Sequence, residues 1–342
     1  VFVPFTAPGD TVEVKLVKTK KTYAEGETEK LIEASVIRVS PPCPVFEKCG
    51  GCTWQHLPYE LQFETKKKGL LHALKRAGVE TDSVLVDEFP APASYHYRNR
   101  IQLHGDAKEK TIGFYSRGGR EIVSITHCPI ARKEINEALP ALTESAFEKF
   151  DGEFKLEVEV TADGKILHAF NQAHAAFGFR QINDAQNEKL KTWVGDHILP
   201  ASLLLDLYGG AGNLSLPLAN RFKKILCVDV NVPATSSFSH FSFLKSDLAK
   251  WAKSEKDSAL FSSPTSVILD PPREGLGAQF SEIEAKISKY DLKSLVLVGC
   301  DVDSFVRDTK NFVSRGYRLA RLGVLDLFPQ TPHVESLALF FK

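Results

Sequence analysis

Apolar and polar residues alternate over residues 11–17 and 33–39, on either side of a polar, glycine-containing stretch from Lys18 to Lys30. Alternation of period two marks half-buried strands, so a small β unit is predicted here, ended by Pro41-Pro42. Residues 56–78 show helical periodicity, with Pro58 near the start and Gly78 as a stop. Short strands are expected at 97–104, 111–115, 120–125, 156–160 and 166–170, and a helix at 184–195. From residue 203 the pattern changes. Apolar runs at 203–207, 226–230, 241–244, 266–270 and 294–299 lead into glycine, cysteine or an acid, and helical stretches such as 280–288 lie between them. Runs of this kind suit strands buried on both faces of a parallel sheet. The predicted fold class is α/β, with a Rossmann-like C-terminal domain preceded by smaller units.

Two features point to residues missing from the sequence. There is no methionine in 342 residues. The stretch between Asn231 and Phe241 is also shorter than the roughly 10–12 residues that a crossover with its helix needs, so a helix is expected to be absent near 231–240.

The length allows two or three domains, and the 43% hydrophobic content allows a substantial core. Basic and acidic residues balance at 43 each, so any nucleic-acid site must come from local clustering rather than global charge. No run approaches the roughly 18 apolar residues of a membrane span, and no signal-peptide pattern opens the chain. A cytoplasmic protein is expected.

Local clusters then narrow the chemistry. Lys15, Lys18, Lys20 and Lys21 lie on or beside the first strand, near Tyr23, and Arg98 and Arg100 flank Asn99 after Tyr97. Cations beside aromatics suit an RNA backbone and its bases, while a solvated charged face is the plainer alternative. Phe179, in Phe177-Gly-Phe-Arg-Gln181, is a further candidate RNA contact. Cys43, Cys49 and Cys52 fall within ten residues, with Gly50-Gly51 allowing a tight turn, and Cys128 precedes a proline as Cys43 does. Clustered thiols in a cytosolic chain indicate metal rather than disulfides. A tetrahedral zinc site usually brings a second close pair; three clustered thiolates and a distant fourth favour an iron-sulfur cluster.

Asp206-Leu-Tyr208-Gly-Gly-Ala-Gly-Asn213 has the strand, glycine turn and helix start that bring backbone close to a nucleotide. The acid before the turn shifts the reading from a dinucleotide toward S-adenosylmethionine. Asp229, ending the next strand, is placed to accept from ribose hydroxyls, and Asp247 to reach an adenine amino group. Asp270-Pro-Pro fixes a stiff turn that points the acid into the pocket. Cys300 ends an apolar strand, where open α/β folds do chemistry, although a lone thiol there is also consistent with a small buried hydrophobe.

Together, Cys-x5-Cys-Gly-Gly-Cys with a later Cys-Pro, the Asp-Leu-Tyr-Gly-Gly-Ala-Gly-Asn loop, Asp-Pro-Pro-Arg, the strand-end cysteine and a terminal His333-Val-Glu335 resemble the iron-sulfur-containing RNA uracil-C5 methyltransferases, from end to end. The resemblance implies an OB-like TRAM β-barrel at 1–41 and a small α+β central domain at 42–54 and 88–178 holding a 4Fe-4S cluster on Cys43, Cys49, Cys52 and Cys128. It implies a Rossmann-like methyltransferase domain at 55–87 and 179–342. By the same resemblance Gln181, Tyr208, Asn213, Asp229, Asp247 and Asp270 contact S-adenosylmethionine, and Cys300 adds to C6 of uracil so that C5 can attack the methyl group. Glu335 then removes the C5 proton, and Asp270 binds the pocket or the uracil edge. The implied partner is RNA, with 23S ribosomal RNA favoured over transfer RNA, and the protein acts as a monomer. The alternatives are a catalytically altered RNA-binding iron-sulfur protein and a cytosine-C5 RNA methyltransferase. Asp301-Val302 replaces the Asn-Pro that usually follows the nucleophile, and an acid there is expected to raise the thiol's pKa.

Overall fold

The computed structural model describes residues 1–173, 176–233 and 238–342. Three sheets organise them. The first is an antiparallel hairpin of β1 (Thr11–Thr19) and β2 (Ala24–Glu33), in register from Thr11 opposite Glu33 to Thr19 opposite Ala24. The second strand of this unit is therefore the polar stretch that reads as a linker, not residues 33–39. A turn in which the Lys20 N–H donates to the Tyr23 carbonyl makes local pairing available. Residues 34–39 are drawn instead around Asp10, whose carboxylate accepts from the Ser35 N–H (2.9 Å) and the Arg38 guanidinium (2.8 and 2.6 Å).

Helix α1 (Tyr59–Arg76) begins after Pro58 and stops before Gly78, which takes φ +81°. Strand β3 (Leu85–Phe89) follows. The second sheet, of five antiparallel strands, is formed by β4 (Arg100–Asp106), β5 (Thr111–Tyr115), β6 (Ile122–Ser124), β7 (Glu153–Val160) and β8 (Ile166–Phe170), in the order β6-β5-β4-β7-β8. Helix α2 (Lys133–Lys149) packs on it, and Ile101, Leu103, Ile135, Leu139, Leu156 and Val158 fill the space between.

The third sheet follows α3 (Asp184–His197). Its remaining elements in chain order are β9 (Leu203–Leu207), β10 (Lys224–Asp229), β11 (Phe241–Lys245), α4 (Leu248–Lys253), β12 (Pro264–Leu269), α5 (Phe280–Ile287), β13 (Asp291–Gly299), α6 (Val302–Ser314), β14 (Arg318–Leu325) and β15 (Glu335–Phe341). The strand order is β11-β10-β9-β12-β13-β15-β14-β3, parallel except for β15. Along β9, Leu203, Leu205 and Leu207 enter one apolar core and Leu204 the other, so both faces are covered and the run must be continuously apolar. The helix start expected after the glycine loop is only a 3₁₀ segment, Leu216–Arg221, because Phe222 is already buried and β10 begins two residues later. The expected absence of a helix near 231–240 falls partly on residues 234–237, outside those described; β10 and β11 still pair directly.

Candidate active site

The parallel strands β11, β10, β9, β12 and β13 end side by side, which gathers Asp247, Asp229, Asp206, Asp270 and Cys300 along one edge of the sheet. Because β15 runs the other way, its first residue lies at that same edge. Ser336 pairs with Gly299, so Glu335 enters opposite Cys300. Strand polarity and a single register thus bring the two sequence-distant residues together.

The glycine loop after β9 is built for close approach. Tyr208, Gly210 and Gly212 all have positive φ. A Cβ on Gly209 would stand 2.4 Å from the Asp206 carboxylate and 2.6 Å from Cys227 Sγ. The Asp229 carboxylate accepts from the Gly210 N–H (3.1 Å) and the Asn231 N–H (2.7 Å), which fixes the loop against the end of β10. Asp206 is fully buried and accepts from the Ser215 hydroxyl; burial pushes its pKa up to about 6. Asn213 exchanges two hydrogen bonds with Asn187 on α3, at 2.9 and 3.0 Å. The Tyr208 hydroxyl donates to Gln279 (3.2 Å), and the charges of Asp247 and Asp229 reach it. Asp247 Oδ1 caps α4, accepting from the Ala249 and Lys250 N–H groups. Gln181 is held through its backbone carbonyl, which accepts from Asn99 (2.9 Å); among the described residues no hydrogen bond joins it to the glycine loop.

Cys300 is half-buried, and its pKa is pushed up to about 12, first by burial and then by the charges of Glu335 and Asp270. Arg273 opposes this. Asp270 is pushed up to about 7 by burial and by Asp206 and Asp229, and Glu335, 2% exposed, is raised well above the usual carboxylate range by burial and Asp270. Asp301, expected to raise the thiol's pKa, has its carboxylate on the cap of α6, accepting from the Ser304 N–H (3.0 Å), and the largest causes of the raised thiol pKa are burial, Glu335 and Asp270. Two members of the site had no role in the sequence reading although they stand within its motifs: Arg273, and His333, whose ring nitrogen lies 3.1 Å from the Arg273 guanidinium. Their pairing depends on tertiary structure alone.

Cys43, Cys49, Cys52 and Cys128, all unpaired, line one mostly apolar cavity of about 60 Å³ together with Arg98. Among the described residues no three potential ligands converge as they would on a single ion. Burial raises the pKa of Cys49, Cys52 and Cys128, and the thiols repel one another's charge, so a cationic occupant would favour their ionised form. Arg98 Nε is buried in the same wall with no hydrogen-bond partner among the described residues, and an anionic occupant of the cavity would suit it.

Arg100 is corrected as an RNA contact, since it is 3% exposed and pairs with Glu159 at 3.0 Å, while Arg98 is half-buried and borders the cysteine cavity. Along β4 Arg100 lies on the face opposite Ile101 and Leu103, and Glu159 and the Arg180 carbonyl take up its guanidinium there. Lys15, Lys18, Lys20 and Lys21 are exposed, Lys18 pairing with Glu25, and Phe179 is 72% exposed.

Residues 155–241 match the family described as tRNA (Uracil-5-)-methyltransferase, and residues 1–28 match the TRAM domain. A 23S rRNA (uracil(1939)-C(5))-methyltransferase RlmD of Pseudomonas savastanoi pv. phaseolicola is 31% identical over 409 positions, covering 99% of this chain and 88% of the relative. Its counterpart in Pseudomonas syringae pv. tomato is 32% identical over 414 positions, with the same coverage. Both alignments are longer than the 342 residues of this chain, so the relatives carry segments absent from it. The Pyrococcus abyssi tRNA (uracil-54, C5)-methyltransferase, solved with S-adenosyl-L-homocysteine, superposes with a TM-score of 0.72 at 24% identity, covering 99% of this chain and 95% of that one; this likeness concerns the fold.

Proposed function

The chain belongs to the RNA uracil-C5 methyltransferase family and uses S-adenosylmethionine, and from that premise we propose that it methylates a uridine of 23S ribosomal RNA through a Cys300 adduct, with Glu335 as the base. The observation that carries this reading is the β13–β15 register, which sets Glu335 against Cys300.

C5 of uracil is too weak a nucleophile to take a methyl group unaided. The uridine leaves its stack to enter the pocket. Addition of Cys300 Sγ to C6 places an enolate on the ring, and C5 then attacks the sulfonium methyl, releasing S-adenosylhomocysteine. Glu335 accepts the C5 proton, and Cys300 leaves as the double bond re-forms. Arg273 and the N-terminus of α6 favour the thiolate electrostatically. Asp270 is placed to bind the uracil edge or the pocket. Tyr208, Asn213, Asp229 and Asp247 bind the donor in this reading, with Gln181 approaching from the segment before α3.

The reading takes residues 1–41, residues 42–54 with 88–178, and residues 55–87 with 179–342 as three domains of a cytoplasmic monomer. Among the described residues no helix is long and apolar enough to cross a membrane. Lys15, Lys18, Lys20, Lys21 and Phe179 meet RNA. Cys43, Cys49, Cys52 and Cys128 hold a 4Fe-4S cluster, which when bound supplies a covalent tie between distant parts of the chain.

With labelled S-adenosylmethionine, the protein is expected to methylate unmodified 23S ribosomal RNA at one uridine and to label transfer RNA at a rate at least about tenfold lower, since specificity is a difference in transition-state binding. Equal labelling of both, or labelling of transfer RNA alone, contradicts the ribosomal assignment. Anaerobically purified protein is expected to contain iron and absorb near about 400 nm as thiolate-bound clusters do, and Cys49→Ser to lose both; zinc in place of iron contradicts the cluster.

A further inference from the structure

The loop from Asp326 to Val334 delivers Glu335, and it is gripped from the side of the cysteine turn. Two polar residues one turn apart on α1, Gln62 and Lys66, are buried, where an amphipathic helix would otherwise present apolar side chains. Lys66 Nζ donates to Asp326 Oδ1 (2.7 Å) and to the Phe328 carbonyl (3.0 Å). Gln62 accepts from the Gln330 N–H (3.0 Å), and its Nε2 lies 2.9 Å from Gln330 Oε1, 3.0 Å from the Trp54 carbonyl and 2.9 Å from the Leu57 carbonyl. The N–H groups of Thr53 and Trp54, immediately after Cys52, both donate to the Gln330 carbonyl, at 3.0 and 3.1 Å. Tyr97 donates to the Pro329 carbonyl (3.0 Å). Gln330 itself is held at φ +69°, a backbone conformation that a non-glycine residue keeps only when its surroundings impose it.

We infer that Gln62 and Gln330 are positioning residues, forming with Thr53 and Trp54 a clasp that locks the loop carrying Glu335 to the cysteine turn and so sets the base at C5. The inference rests on the role proposed for Glu335. If the base is misplaced after methyl transfer, the C5 proton stays and Cys300 cannot leave, so the enzyme accumulates as a covalent complex on ordinary uridine RNA. Loss of donor or RNA binding would do the opposite and reduce the complex.

Gln62→Met keeps the bulk of the side chain and deletes its hydrogen bonds; Gln330→Ala deletes the partner. Each is expected to retain S-adenosylmethionine affinity and a first-turnover methyl transfer, to lose about tenfold or more in steady-state turnover as geometric misplacement does, and to trap covalent RNA complex on denaturing gels. Unchanged turnover, or a slower first turnover with no trapped complex, overturns the clasp. In the wild type, amide exchange at Thr53, Trp54 and Gln330, corrected for each residue's intrinsic rate, is expected to give one common opening free energy, as a single opening unit does; unrelated opening free energies overturn the clasp even if neither variant folds. A wild type that methylates no uridine sinks the reading of Glu335 instead.

Discussion

Cys300 lies between opposed fields. Burial, Glu335 and Asp270 favour the thiol, while Arg273 favours the thiolate. In the proposed reaction the attacking species is the thiolate, and with the pKa of the thiol raised to about 12, adduct formation should rise with pH. The expected single-turnover rate climbs across roughly pH 6 to 9 without a plateau. Asp270→Asn removes a negative neighbour and should move this rise to lower pH. A rate that is flat near neutrality, or an unmoved profile in Asp270→Asn, contradicts the assignment of charges. The residue types here were legible in the sequence, because a thiol and two acids follow strands or precede one. Their mutual effect was not. Asp301 adjoins the thiol in sequence yet spends its carboxylate on a helix cap, whereas Glu335, 35 positions away in the numbering, acts on it directly.

At the scale of elements, the buried strands were the most legible part, since β9, β10, β12 and β13 need continuous apolar runs to sit between two cores. The first hairpin was misread because β2 is polar and exposed along most of its length, so its strand state is set by pairing with β1 rather than by an apolar face. Helix α1 was found by period, but its buried Gln62 and Lys66 were invisible because their partners lie about 260 residues away. Two glycines of similar appearance in the sequence should behave oppositely. Gly209→Ala forces a Cβ into the Asp206 carboxylate and Cys227, and should cost about 1–3 kcal/mol of stability as overpacking does, together with donor binding. Gly69→Ala, in the exposed face of α1 with nothing within 4 Å, should raise stability by roughly 0.5–1 kcal/mol. Thermal unfolding of both variants, with equilibrium dialysis of S-adenosylmethionine, separates them; matching effects would contradict the packing described for the loop.

Across the whole molecule, cysteines from residues 43–52 and 128 meet in one cavity, and the turn that carries three of them is bonded to the loop that carries Glu335. The long-range assembly explains why the cysteine set and the strand-end set, separate in sequence, belong to one enzyme. In the proposed mechanism Cys300 bonds covalently to a uracil ring and Glu335 releases it. RNA carrying 5-fluorouridine at the target tests this most directly, because fluorine cannot be taken as a proton and elimination stops. With S-adenosylmethionine present, the wild type should form a methylated covalent complex that survives denaturation, Glu335→Gln should form one even on ordinary uridine, and Cys300→Ala should form none. Absence of a complex with the wild type, or its persistence in Cys300→Ala, would contradict the account.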